Sequence, residues 1–312
     1  MKNQILLLIA TTFFLFACNS TAQKAPQKSK SDGLQLDLVK GEEYAQNASV
    51  SSTVLQEING QEVSMKIKMS SVVLFTVDVM HNHYYEMQGK FVSLSMTVES
   101  GQGSATFSSD FGDDLLSQIF NKIKNKPFTL MIAKTGKVME VKNVKNIYLL
   151  AMDELKIPEA TKAQVMQQIE QIISDEALKG SIEMFSGIYP EQPAKEGEKW
   201  TGSVKVGFGA TSSTNVEVSY ECTIIEDDVA YINSTATFES LNNEEYVHIN
   251  GQDLKVNMAG TLTSEIIVDR QTGWVKSLKM VQKNKGTVTI KQQNSLIVPS
   301  SSYITVFVND QY

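Results

Sequence analysis

Glu62-Val63-Ser64-Met65-Lys66-Ile67-Lys68-Met69-Ser70 is the stretch that decides the fold class. Val63, Met65, Ile67 and Met69 fall on one side of an extended chain; Ser64, Lys66 and Lys68 fall on the other. A period of two residues marks a strand with one buried and one wetted face, the pattern of antiparallel sheets. Phe91 to Glu99 repeats it, with Val92, Leu94, Met96 and Val98 set against Ser93, Ser95 and Thr97. Asn59-Gly60 and Gly89-Lys90 read as turns between such runs.

Further along, the period lengthens. Leu115, Leu116, Ile119, Phe120 and Ile123 stand at helical spacing, entered near Asp110 and stopped at Pro127. Asn143 to Leu155 reads as a second helix. Pro158 opens a longer one, with Val165, Ile169, Ile172 and Ile173 on one stripe that predicts burial against a sheet. A break at Ser174-Asp175 caps a further short helix through Leu178, Ile182 and Phe185. From Lys199 the period returns to two, through a series of strands ending at Ile304–Val308. The expected architecture is therefore α+β. Curved antiparallel sheets, as an open barrel or as two related halves, would have a central helical segment covering an apolar face. The alternative is two β-sandwich-like domains joined by helices. The expected boundaries are 34–145 for the first strand-rich half, 146–188 for the helical segment and 189–312 for the second half.

The two halves echo each other. Gly41-Glu42-Glu43-Tyr44 opens one and Gly197-Glu198-Lys199-Trp200 the other. Thr135-Gly136-Lys137-Val138 and Thr272-Gly273-Trp274-Val275 come later in each, preceded by Leu130 and Ile132 or by Ile266 and Val268. Matched motifs in the same order predict a duplication, with equivalent strands and equivalent glycine turns.

The amino-terminal stretch points to a compartment. Lys2 precedes an apolar run from Ile5 to Phe16, too short to span a membrane but suited to a secretory signal. It ends in Leu15-Phe16-Ala17-Cys18, which resembles the lipobox of bacterial lipoproteins. That resemblance implies a signal peptide over 1–17, acyl chains on Cys18, and a membrane anchor through them. Residues 18–33 are then the lipidated cysteine and a polar linker, rich in Lys, Gln, Ser and Ala and expected to be disordered. No acidic residue follows Cys18 before Asp32. Among lipoproteins such a start implies the outer membrane, on its periplasmic face.

Leu36 to Tyr44, together with Tyr189-Pro190-Glu191-Gln192-Pro193 leading through Gly197 to Trp200, resembles a family of uncharacterised Bacteroidota lipoproteins. That family combines a lipobox with a mid-chain Pro-x-x-Pro, Gly-x-x-Trp segment followed by antiparallel strands. The resemblance implies the architecture and no activity.

Chemistry-bearing patterns are sparse. The chain has no Gly-x-Ser-x-Gly, His-Glu-x-x-His, P-loop or Cys-x-x-Cys, so neither enzymatic activity nor a cofactor is expected. A formal net charge of −7 argues against nucleic acid as partner. Once Cys18 is acylated, Cys222 is the one thiol left of the two cysteines, so no internal disulfide forms. Its apolar alternation, Val216 to Ile224, makes it a small core residue. His81-Asn82-His83 invites a metal reading, but no third ligand is identifiable. A polar hairpin is the expectation, with no metal site. Met65, Met69, Met80, Met87 and Met96 form a core or line a site for an apolar molecule. Tyr84, Tyr85, Trp200 and Trp274 are packed in the sheet or stack on sugar rings. The function expected is non-enzymatic binding of a lipid or other amphipathic ligand, with His83, Tyr84 and Tyr85 as candidates at the pocket mouth. The alternatives are an envelope scaffold with a filled core and, third, an enzyme acting on glycan or peptide.

Overall fold

The computed structural model describes residues 33–58, 61–207, 213–239, 246–249, 252–291 and 295–308. The lipobox with Cys18 and the Asn59-Gly60 turn lie outside them. The first half runs β1 (Glu43–Ile58), β2 (Gln61–Met80), β3 (Tyr84–Ser100), β4 (Gly103–Ser108), α1 (Leu115–Ile123), β5 (Pro127–Ala133) and β6 (Val138–Lys142). Three helices follow: α2 (Val144–Glu154), α3 (Glu159–Ile172) and α4 (Asp175–Ser186). The second half runs β7 (Lys199–Gly207), β8 (Ser213–Ile225), β9 (Val229–Glu239), β10 (Val247–Ile249), β11 (Gln252–Asp269), β12 (Val275–Ile290) and β13 (Ser295–Val308).

All the strands join one antiparallel sheet in the order β6-β5-β3-β2-β1-β13-β12-β11-β9-β8-β7, with β4 added to β3 and β10 to β11. The pairing of β1 with β13, from Ser49↔Val306 to Ile58↔Ile297, fuses the halves. One sheet with one continuous core replaces the alternative of two separate sandwiches. The sheet does not close, because β6 and β7 are edges that do not pair with each other. Helix α4 packs on both edges and on β12, so the sheet curls until its two ends face one helix.

The halves share a strand plan down to individual hydrogen bonds. Gly41 N–H donates to Val77 O (2.9 Å) and Val77 N–H to Glu42 O (3.2 Å); Gly197 N–H donates to Cys222 O (2.7 Å) and Cys222 N–H to Glu198 O (3.0 Å). A bulge follows Val77 on β2 and Cys222 on β8. Each bulge bends its strand at the same level. The next hairpins match too: His81 N–H donates to Tyr84 O, and Glu226 N–H to Val229 O. The glycine turn then joins the fourth and fifth strands of each meander, β5 to β6 and β11 to β12, with φ +78° at Gly136 and +67° at Gly273. Beyond this turn the plans part: the second half continues into β13, whereas the first continues into helices. Helix α4 therefore stands where a strand equivalent to β13 would have closed the sheet.

Local signals explain the helix ends. Asp114 caps α1 by accepting from Ser117 N–H (2.9 Å), and Ser174 caps α4 by accepting from Ala177 N–H (3.1 Å). Two readings need correction. Gly89 is no turn: it lies inside β3, paired with Phe128 on β5. A side chain there would overlap the Phe128 ring, so glycine serves close packing in mid-strand. The stripe of Val165, Ile169, Ile172 and Ile173 is buried as expected, but the elements α3 packs on are α2 and α4. The stripe joins the common core, with α3 packed beside the other helices.

Candidate ligand-binding interior

Alternation in the long strands puts one apolar row per strand on the concave face. Val50 and Val54 of β1, Ile67 and Met69 of β2, and Met258 and Leu262 of β11 are buried in the same core. Of the five methionines singled out, Met69, Met87 and Met96 are buried and Met65 packs against the core at its margin. Met80 is exposed, because β2 has passed its bulge and runs out into a hairpin there.

Trp274 is the hub between the halves. Its ring centroid lies 5.1 Å from Tyr44, 6.1 Å from Phe75 and 6.2 Å from Phe185 of α4. Tilted and edge-on pairs at these separations are favourable beyond their buried area. Below the hub the chain from Leu34 to Leu38 threads between the two glycine turns. Leu34 pairs with Ala194, Leu36 N–H donates to Lys134 O, and Asp37 N–H donates to Thr272 O. Its signal was present in sequence as Leu34, Leu36 and Leu38 at period two. The end of α4 ties down the same turns: Ser186 Oγ donates to Gly136 O (2.6 Å), and the Tyr189 hydroxyl donates to Gly273 O.

The three residues read as a pocket mouth go to three places. His83 is exposed at the hairpin tip, where its carbonyl accepts from Lys134 N–H (3.1 Å). Tyr84 is half-buried and stacks on the His81 ring at 4.1 Å. Tyr85 is fully buried and donates to Leu36 O (3.2 Å). Adjacent strand residues face opposite sides, which separates Tyr84 from Tyr85. The histidine pair occupies a hairpin, and the described residues gather no cluster of three or more His, Cys, Asp or Glu able to hold a metal ion. Both tryptophans are packed: Trp200 stacks on Tyr220 at 5.7 Å and donates from Nε1 to Ile188 O (2.9 Å).

Titration behaviour follows burial. Loss of water pushes the Tyr44 hydroxyl up to about 12, and pushes those of Tyr85, Tyr189 and Tyr220 higher still. Burial first, then the nearby Glu196 and Glu198 charges, pushes the Cys222 thiol up to about 11. All of these stay protonated at neutral pH, as donors or packing groups, and Cys222 is a poor nucleophile.

A family model spans residues 82–275, most of the chain. The chain belongs to DUF6263, a family of unknown function. The DUF6263 stretch starts in the hairpin of His83 and ends at the turn of Trp274, so it covers both glycine turns and all four described helices. No curated protein sequence matches the chain. Two solved structures resemble it weakly. One, described by the words lipid-protein interactions in lipovitellin, has TM-score 0.42 and 8% identity over 88% of this chain and 26% of that one. The chain thus spans about a quarter of that protein's length. The other, an outer membrane channel from Pseudomonas putida F1, has TM-score 0.21 and 8% identity over 91% of this chain and 100% of that one. Both scores are too low to carry a fold or a function across. Among the described residues of this DUF6263 protein, no helix is long and apolar enough to cross a membrane.

Within the family stretch, the Pro-x-x-Pro, Gly-x-x-Trp segment borders an open surface groove of 680 Å³, lined by Gly33, Gln192, Pro193, Lys195 and Glu196 to Glu198. Its carboxylates hold backbone: Glu196 accepts from Ile225 N–H (2.8 Å) and Glu198 from Lys195 N–H (2.9 Å). The motif's work is to seat the start of β7 against β8 and the entering chain.

Proposed function

We propose that the chain is a lipid-anchored envelope protein, held by Cys18 on the periplasmic face of the outer membrane. There it binds an apolar or amphipathic molecule against the concave face of its sheet, without enzymatic chemistry. The anchor rests on the secretory run and the lipobox. The binding reading rests on one observation, the replacement of a closing strand by α4. Strands in a ladder are locked by backbone hydrogen bonds, whereas α4 meets β6 and β7 through side chains. No strand ladder crosses this junction, and Ile182 and Phe185 of α4 join the buried apolar core there. Lipids are the most abundant amphipathic molecules beside a bilayer.

Native mass spectrometry of the acylated chain, released from detergent in the instrument, tests this. A reproducible extra mass that organic extraction removes is the expected result. Repeated ligand-free spectra would overturn it. They would favour an envelope scaffold, a reading supported by the single continuous core that joins both halves. Incorporation of labelled fatty acid that persists in Cys18→Ala would overturn the anchor.

A further inference from the structure

The concave face is not apolar throughout. Where alternation calls for hydrocarbon, β1 places Gln46 and Ser52, β2 Ser71, β11 Ser264, and β12 Gln282 and Asn284, each at least nine-tenths buried. Gln46 Oε1 and Nε2, the hydroxyls of Ser52, Ser71 and Ser264, and Asn284 Nδ2 find no hydrogen-bond partner among the described residues. The Asn284 carbonyl oxygen is used, accepting from Gln282 Nε2 at 3.1 Å. Burying a polar group without a partner opposes folding, and several on one face of one protein call for an explanation.

The register shows how these residues are grouped. Ser52 lies opposite position 303 of β13, which lies opposite Gln282 of β12. Strands are about 4.8 Å apart, so Ser52 and Gln282 are roughly 10 Å apart on one rung. Asn284 is on the next rung, level with Val54. Ser264 sits opposite Met280, two residues along β12 from Gln282. Ser71 faces Ala48, two residues from Gln46 on β1. Ser52, Gln282, Asn284 and Ser264 thus form one group on both sides of β13, and Gln46 with Ser71 forms a second, four to six residues away along β1. The flanks differ: Phe75, Phe91 and Phe128 fill the first half with touching rings. The two groups contain amides and hydroxyls, donors and acceptors together, and none of the six residues is charged.

We infer that the group of Ser52, Ser264, Gln282 and Asn284 recognises an uncharged hydrogen-bonding group, the ester or amide of a neutral acyl compound, seated deep against β1, β11 and β12. The inference rests on the binding reading above and adds the chemistry of the ligand's polar part. A carboxylate or phosphate would lack a cation there, whereas an ester carbonyl and free hydroxyls match what these four residues offer.

The test uses membranes of cells producing the full chain and two photoreactive, alkyne-tagged probes: a monoacylglycerol and an alkane of the same chain length. Both should label the wild type. Ser52→Val with Asn284→Leu should lower monoacylglycerol labelling by about tenfold, the loss of one good hydrogen-bonded contact. Alkane labelling should stay the same, and the melting temperature should not fall, because buried unpaired polar groups have been removed. If the double variant folds poorly, Ser264→Val alone should show the same separation of probes. Equal labelling by monoacylglycerol in wild type and variants, with alkane labelling intact, overturns the polar recognition and leaves the binding reading standing. A wild type labelled by neither probe overturns both.

Discussion

Gly136 and Gly273 occupy the same turn of their two halves with nearly the same φ, yet they are closed by different parts of the chain. A side chain at Gly136 would overlap the Ser186 carbonyl at the end of α4, whereas one at Gly273 would overlap the Gln35 carbonyl of the entering segment. The repeated frame is thus one thing and its fastening another. The Gly136 turn packs on the end of α4 and the Gly273 turn on residues 35–36, while single hydrogen bonds from Leu36 and Tyr189 cross to the opposite turn. Both fastenings lie at the same end of the sheet, the end at which the described residues begin with Gly33.

The comparison can be broken most sharply at Phe185, 1% exposed and edge-on to Trp274. Phe185→Ala should cost about 3–5 kcal/mol. If the halves are fastened into one body, urea unfolding followed by tryptophan fluorescence stays a single transition at a lower midpoint. Two separate transitions would mean that the halves are independent. Next come the glycines. Gly136→Ala and Gly273→Ala combine a left-handed backbone with a collision against rigid backbone and should each lose about 3 kcal/mol or more. Gly41→Ala and Gly197→Ala meet open space, so only the positive φ counts, about 1–2 kcal/mol each. Equal losses at all four positions in thermal melts would show that the fastenings contribute nothing.

Smaller effects sharpen the match. Cys222 and Val77 hold the same place before the same bulge, so Cys222→Val should cost less than about 1.5 kcal/mol. A larger loss would mean that the two bulges are packed differently. Glu183 on α4 has no counterpart in the second half. Its carboxyl is pushed up by loss of water, partly offset by Lys179 and Lys137. A carboxyl raised on folding favours the folded state fully below the unfolded value, and that advantage is lost as pH rises through the folded one. Glu183→Gln should therefore raise the melting temperature at neutral pH by an amount on the order of 1 °C. The difference should vanish near about pH 3.5, where the carboxyl is protonated in both states.

Period two in residues 65–69 and 94–98, helical spacing from Leu115 and from Pro158, the Ser174 cap and the paired glycine motifs were readable from the residues alone; the expected faces fail at Val63, which is exposed, and at Val92, where a register shift buries Phe91 instead. Each is a local pattern in which side-chain chemistry reports which face of an element is buried. Cysteine 222 and the hairpin around His83 were legible for the same reason. The candidate interior was legible only as a set of apolar faces. What closes a sheet is a contact between residues far apart in the chain, and no local period encodes it. The pairing of β1 with β13, the use of α4 where a strand would close the sheet, and the packing of α3 on helices were decided by the whole chain settling at once. The same holds at single residues. Gly89 has the composition of a turn, but Phe128 needs its space. Tyr84 and Tyr85 read as one aromatic pair, but the sheet sends one outward and the other into the core. Gln46, Ser52 and Asn284 look like ordinary polar residues of long strands, and only the curl of the sheet buries them together.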